Sequence, residues 1–368
     1  MIKIDLSDYK SSLIYFSLFD VLLNDLGESK EKYLKQIGVN PSTYRKCKKG
    51  SLKIGPKVTS FLTSHFSLKK LKNHELDELA KFFASIYEKM YYKIEDTYEK
   101  DLKLIDEMIE ENYVIFPIVK LMKLLLNICS NKAREVIIEE NKDLYEEVKR
   151  YALFFNDSVN QVYDIVNLFF EENIDENRWL KNYKDGFAYY ILAARSYTAH
   201  RYVEGIFFAE KSKELLDVDG NIVRKLNVNN ILMCSLLYAG NYEECNELAR
   251  KQLLSIRAIG TLQSFYRKSA SKYLFVSLLG LEEYEEILEL CESKQYFNLT
   301  ELTCYLVAMN RYNKKKYNTY FKSLNLEAFD EKDRQYIIMI DKYLRNDHRK
   351  VLKDLYSYDV MDCLINML

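Results

Sequence analysis

Apolar residues recur at three- and four-residue spacing along most of the chain, the pattern of helices with one buried face. Leu13, Ile14, Phe16, Leu18, Phe19, Leu22, Leu23 and Leu26 predict a first helix within residues 3–26. A short second helix is predicted from Ser29 to Gly38, with Ser29 as N-cap, Tyr33, Leu34 and Ile37 on one face, and Gly38 as its stop. After the turn Gly38-Val39-Asn40 a third helix starts at Pro41, capped by Asn40, with proline at the first position, where an N–H is not needed. Tyr44 and Cys47 form its inner face, which leaves Ser42, Thr43, Arg45, Lys46 and Lys49 facing outward. Val58, Phe61, Leu62 and Phe66 predict a fourth, closing helix. Residues 1–70 therefore read as a small four-helix domain.

From residue 74 the stripes continue, with Leu76, Leu79, Phe82, Phe83, Ile86, Met90 and Tyr91, then Leu102, Ile105, Met108 and Ile109. Short polar connections are expected at Asn112, Ser130-Asn131, Asn141, Asn156-Asp157 and Glu172-Asn173. Past residue 185 a motif recurs, an apolar or aromatic residue followed five positions later by tyrosine. Its copies end at Tyr202, Tyr242, Tyr284 and Tyr312, and a weaker one runs from Tyr343 to His348. The copy Gly240-Asn241-Tyr242-Glu243-Glu244-Cys245, followed by Ala249, resembles the turn of a tetratricopeptide repeat. Gly205, Ala209 and Cys291 keep part of its small-residue pattern. The predicted fold is thus all-α: a four-helix head, then a right-handed α-solenoid of helical hairpins over residues 71–342. Residues 343–368 supply capping or dimerisation helices.

Composition agrees with helices. Only 3 prolines and 10 glycines occur, and none of the prolines follows Pro117. Apolar residues make up 48% of the chain, enough for a large core. No secretory leader pattern and no long uncharged apolar run is present, so a cytoplasmic protein without a membrane span is expected. The seven cysteines show no CxxC spacing and no neighbouring histidines, which points to buried thiols and to no metal. Charge is the more informative quantity. Residues 1–72 carry thirteen lysines and Arg45 against six acids, a net of +8, which leaves −9 for the remainder. A basic head on an acidic body suits a polyanionic partner at one end.

Two short helices around a glycine turn, the second carrying hydroxyls and cations, describe a helix-turn-helix. Its second helix would enter the major groove of double-stranded DNA. Ser42, Thr43, Arg45, Lys46 and Lys49 are the expected contacts, with Lys30, Lys53 and Lys57 beside them. Residues 29–56 resemble the helix-turn-helix of the Cro/repressor family, with departures at Lys30, Leu34 and Lys48. On the first helices of the hairpins, Tyr190, Tyr197, Arg224, Asn227, Asn230, Tyr238, Lys272 and Thr300 are expected to line a concave groove. A carboxamide offers donors and an acceptor together, so asparagines can pair with an extended peptide backbone. Arg224 or Lys272 could take a terminal carboxylate.

No catalytic pattern emerges. The histidines 65, 74, 200 and 348 are scattered, no two glycines are adjacent, and no HExxH, GxSxG or Walker motif occurs. Neither an enzyme nor a cofactor is expected. In layout the whole chain resembles the peptide-pheromone-responsive regulators of Firmicutes and their phages: the Rap, Rgg, NprR, PlcR and PrgX group, with the phage arbitrium receptor as a relative. That resemblance implies a homodimer, DNA held by paired heads, and a short linear peptide in the groove that alters DNA binding. Two other readings stay open. One is a repeat scaffold that binds a protein partner without DNA. The other is a DNA-binding regulator with no peptide ligand.

Overall fold

The computed structural model describes residues 2–11, 14–25, 29–49, 55–92, 98–130, 132, 134–171, 185–218, 220, 222–259, 263–292 and 298–346. Leu13 and Leu26 of the first stripe, the expected contact Lys53, the connection at Glu172-Asn173, Cys363 and nearly all of the C-terminal segment 343–368 lie outside them. The described chain is helical, and an isolated bridge between Lys69 and Tyr113 takes the place of any strand. It divides into two compact units, residues 1–188 and 189–368.

The first unit begins with a 3-10 turn, Ser7–Lys10, followed by α1 (Tyr15–Asp25), α2 (Lys30–Gln36), α3 (Pro41–Lys48) and α4 (Gly55–His65). These match the four helices read from the apolar stripes. Five longer helices follow: α5 (Asn73–Tyr92), α6 (Tyr98–Glu110), α7 (Phe116–Ile128), α8 (Arg134–Arg150) and α9 (Asp157–Phe170). The apolar run from Ile115 to Cys129 becomes α7, the centre of this layer, packed by α5, α6, α8 and α9. Its side chains from Ile118 to Leu125 explain why. Ile118, Val119, Leu121, Met122, Leu124 and Leu125 are wholly inaccessible, and only Lys120 and Lys123 among them keep contact with water. A helix apolar on nearly all sides belongs inside.

One expected connection is absent. Asn141 lies in the middle of α8, where it is buried. Its amide donates to the Ile137 carbonyl at 2.8 Å, and its Oδ1 accepts from Asn127 at 2.6 Å. A polar residue in a helical stripe reads as a break only when no partner is visible, and the partner here comes from another helix. The connections at Asn112 and Asn156 do occur. Asn112 takes a positive φ of 56°, and Asn156 caps α9 by accepting from the Val159 N–H.

The head is fastened to the helices behind it. The Tyr9 hydroxyl donates to the Phe154 carbonyl at 3.0 Å and accepts from the Asn156 N–H at 2.9 Å. Asp5 and Ser158 exchange hydrogen bonds of 2.8 and 3.0 Å. Between α4 and α5, Lys69 bonds through its backbone to Asn112 and Val114, and its ammonium pairs with Glu111. Residues 66–72 are therefore a bonded segment and not a loose linker.

The second unit takes residues from 189 on, within α10 (Gly186–Thr198). It continues through α11 (Tyr202–Val218), α12 (Ile222–Tyr238), α13 (Tyr242–Ile259), α14 (Gln263–Gly280), α15 (Tyr284–Glu292), α16 (Leu299–Tyr312), α17 (Lys314–Ser323) and α18 (Glu331–Asn346). Each helix packs on the next from α11 to α17, while α12 also packs on α14 and α14 on α16. The motif tyrosines open α11, α13 and α15. Before each stands a left-handed residue: His200 at φ 58°, Gly240 at 79° and Glu282 at 60°. The same kind of backbone bond, spanning five positions, closes all three turns: Arg201 to Ser196, Asn241 to Leu236 and Glu283 to Leu278. These bonds satisfy carbonyls that a helix end would otherwise leave unpaired. Ala209, Ala249 and Cys291 are buried, as expected of small residues where helices approach closely.

The copy ending at Tyr312 departs from this. Tyr312 is the last residue of α16, not the first of α17, and no left-handed residue precedes α17. Asn313 makes the turn instead, accepting from the Lys316 N–H at 2.9 Å. A side-chain cap replaces the backbone motif, so the register shifts by two positions.

Candidate functional site

The outward face of α3 is set up by the two turns around it. Gly38, at φ 65°, ends α2 through bonds from Val39 to Leu34 and from Gly38 to Lys35. Asn40 then caps α3: its Oδ1 accepts from the Ser42 N–H at 2.9 Å and from the Ser42 hydroxyl at 3.0 Å. Ser29 occupies the cap position of α2, but its hydroxyl makes no capping bond. On the inner side, Cys47 is fully buried and the Tyr44 ring packs 5.1 Å from Phe16 and 5.8 Å from Phe19.

Asp20 of α1, not singled out from the sequence, ties this arrangement together. Its carboxylate accepts from the Tyr44 hydroxyl at 2.7 Å and from Lys48 at 2.6 Å, and it pairs with Lys30. Burial pushes the Asp20 carboxyl up, but hydrogen bonds from Lys30, Lys48 and Tyr44 outweigh it and hold the group below its ordinary range. Burial, then Asp20, raise the Tyr44 phenol far above its ordinary range. An acid inside the stripe Leu18-Phe19-Asp20-Val21 was the available signal. Lys30, one of the expected DNA contacts, pairs with Asp20 and lies over the Tyr44 ring at 4.9 Å, so it braces α1 against α3 while its side chain stays 42% exposed. Arg45, Lys46 and Lys49 are exposed and form no ion pair among the described residues; Ser42 is exposed, Thr43 half-buried and Lys57 exposed.

The residues expected to line a groove fall into four sets. Arg224 is buried at 6% exposure, its guanidinium 5.2 Å from the centre of the Tyr190 ring. Asn227 and Asn230 are half-buried on α12. The first accepts from the Tyr266 hydroxyl at 3.1 Å, the second from the Gln252 amide at 3.0 Å. Asn227 Nδ2 and Gln252 Oε1 keep no partner among the described residues. Gln252 and Tyr266 were missed in the sequence because they come from α13 and α14, with nothing in their spacing that ties them to α12. Tyr197 and Tyr238 instead join Tyr202 in an aromatic cluster at the hairpin turn, where the Tyr197 and Tyr202 rings lie 5.9 Å and 4.8 Å from that of Tyr238. Thr300 is buried in the first turn of α16, and Lys272 is half-buried on α14.

Among the described residues no three histidine, cysteine, aspartate or glutamate side chains gather as metal ligands, and no helix is long and apolar enough to cross a membrane. The described cysteines, 47, 129, 234, 245, 291 and 304, are all buried and unbridged. Compared with known proteins, the chain matches no family model, no curated protein and no solved structure, so its functional reading rests on its own geometry.

Proposed function

We propose that this protein is a sequence-specific DNA-binding regulator whose second unit takes up a short linear peptide. The observation that carries the DNA reading is α3: a short helix capped by Asn40, buried on Tyr44 and Cys47, with Arg45, Lys46 and Lys49 outward and unpaired among the described residues. Such a helix fits the major groove, with its cations on phosphates and its first-turn hydroxyls near base edges or backbone. The acid packed behind it, Asp20, is engaged by Lys30 and Lys48 and leaves those cations unneutralised.

Support for the peptide comes from α12 to α14. Asn227 Nδ2 is a donor and Gln252 Oε1 an acceptor, both left over after their pairing with Tyr266 and Asn230. An unpaired buried polar atom costs about 1–3 kcal/mol, which a peptide amide or a bound water would recover. Arg224 beside Tyr190 supplies a cation for a terminal carboxylate. A peptide that binds two states of the protein unequally changes DNA affinity by that difference and no more. The regulator acts as a homodimer in the cytoplasm, reading two half-sites.

Selection from random duplex DNA tests the first part, with the chain and its Lys46→Glu, Lys49→Glu double variant compared across salt concentrations. Selected duplexes should show a two-fold related consensus. The variant should lower the log–log salt slope by roughly 2, one for each lost phosphate contact. Retention that is indifferent to salt and to the double substitution refutes DNA binding and favours a protein-binding scaffold. For the peptide, melting temperature is measured against a library of short linear peptides. A native-state ligand must raise it, and Asn227→Ala should remove the rise.

A further inference from the structure

The turn-side edge of the second unit carries a ladder of tyrosines with one missing rung. Tyr202, opening α11, stacks on Tyr238, the last residue of α12, at 4.8 Å and 12°. One hairpin later Tyr242 opens α13, and the last residue of α14 is Gly280. The Tyr242 ring lies directly on this glycine, so that a Cβ there would stand 2.8 Å from it. A cavity of about 510 Å³ lies beside this contact, with Tyr242, Gly280 and Tyr284 among its lining residues. The buried Leu279 and Val307 form its apolar part.

Glu282 and Arg311 also line this cavity, and both are exposed. They make no ion pair with each other, and neither pairs with another described residue. Both lie close enough to act on the Tyr284 hydroxyl. Burial raises that phenol, Glu282 adds to the rise, and Arg311 opposes it. Glu282 also holds a φ of 60° at the position where the preceding turn has Gly240. A residue with a side chain is uncommon there.

Two opposite charges that line one cavity without pairing, with Leu279 and Val307 beside them, complement a dipolar ligand. We propose that this notch binds a short zwitterion: a free amino acid, or a di- or tripeptide with both ends unblocked. Arg311 receives the carboxylate through charge-assisted hydrogen bonds, Glu282 receives the ammonium, and the side chain rests on Leu279 and Val307. Glu282 disfavours phosphorylated or otherwise purely anionic ligands. The notch is separate from the Asn227–Gln252 region, and the proposal stands whether or not the regulatory reading does.

Isothermal titration and saturation-transfer NMR on the full chain test it, with L-phenylalanine, L-leucine, glycyl-phenylalanine and triglycine as probes. N-acetyl-phenylalanine and phenylalanine amide are the blocked controls. At least one zwitterion should bind, and blocking either end should weaken it by about tenfold or more, since each block removes a charged hydrogen bond. Arg311→Gln should bind acid and amide alike, and Glu282→Gln should no longer distinguish the free from the acetylated amine. Binding by single amino acids alone, or by the peptides alone, supports the proposal and identifies which zwitterion the notch takes. The proposal is overturned if no zwitterion binds at millimolar concentration, if blocked and free probes bind equally, or if Arg311→Gln discriminates as the parent does. Both substituted residues are exposed, so the variants should keep the parent circular dichroism spectrum.

Discussion

The turn at Gly38 and the turn at Gly240 are nearly identical in their bonding, yet they serve opposite ends. In each, a left-handed glycine lets the residue after it reach back five positions, at 2.8 Å in both cases, while the glycine itself reaches back three, at 3.1 Å. The helices they lead into differ. After Gly38, Asn40 and Pro41 start a helix whose cations face outward, and its inner face is held by Tyr44 on Asp20. After Gly240, Tyr242 starts a helix and turns its ring inward onto the next hairpin at Gly280. Turn geometry therefore sets where a helix begins, and the first two turns of side chains decide whether that helix presents a surface or builds a stack.

The largest test removes the inner anchor of the presenting helix. Tyr44→Ala should destabilise the first unit by about 3–5 kcal/mol in urea unfolding. Tyr44→Phe, which keeps the ring and deletes the hydroxyl with its bonds to Asp20 and the Phe16 carbonyl, should lose about 1–3 kcal/mol. If the two variants unfold alike, the hydroxyl carries the anchoring and the ring does not. Next comes the shared geometry itself. Gly38→Val and Gly240→Val should each cost about 1–2 kcal/mol or more, because a branched side chain is strained at positive φ. Asparagine at either site should cost distinctly less. A Gly240→Val protein as stable as the parent would show that the two turns are not equivalent.

Asn40→Ala is expected to cost about 1 kcal/mol by removing the cap of α3, with thermal melting as the measurement. The substitution probes a side-chain cap that belongs to the presenting turn, so it should leave the stacking turn at Gly240 unaffected. The smallest effect is electrostatic. Asp20 has a lowered carboxyl in the folded protein, so its contribution is fully present above the unfolded value. It is lost as pH falls through the folded one, below about pH 4. Melting curves at descending pH should show this loss in the parent and a flatter dependence in Asp20→Asn.

Much of this was legible in the chain before folding. The head was: Gly38, Asn40 and Pro41 punctuate it, and Tyr44 and Cys47 are buried where their spacing places them. The first three hairpin turns were legible from Tyr202, Tyr242 and Tyr284. The groove was less so. Tyr197 and Tyr238 went into the aromatic cluster at the turn and Thr300 into the core, because a helix face read alone does not say which neighbour will cover it.

Local chemistry accounts for the part that adjacent residues dictate: helix starts, stops and inner faces depend on positions within a turn or two of each other, so they are written directly in the chain. Tertiary structure alone decided the partners. Asp20 meets Lys30 and Lys48, Asn141 finds Asn127, Asn230 finds Gln252, and Glu282 comes to share a cavity with Arg311. Each of these joins residues from separate elements of the chain. Whether a lysine pairs with an acid of another helix or stands unpaired depends on distance in space, and Lys30 and Lys46 are indistinguishable until the chain has folded.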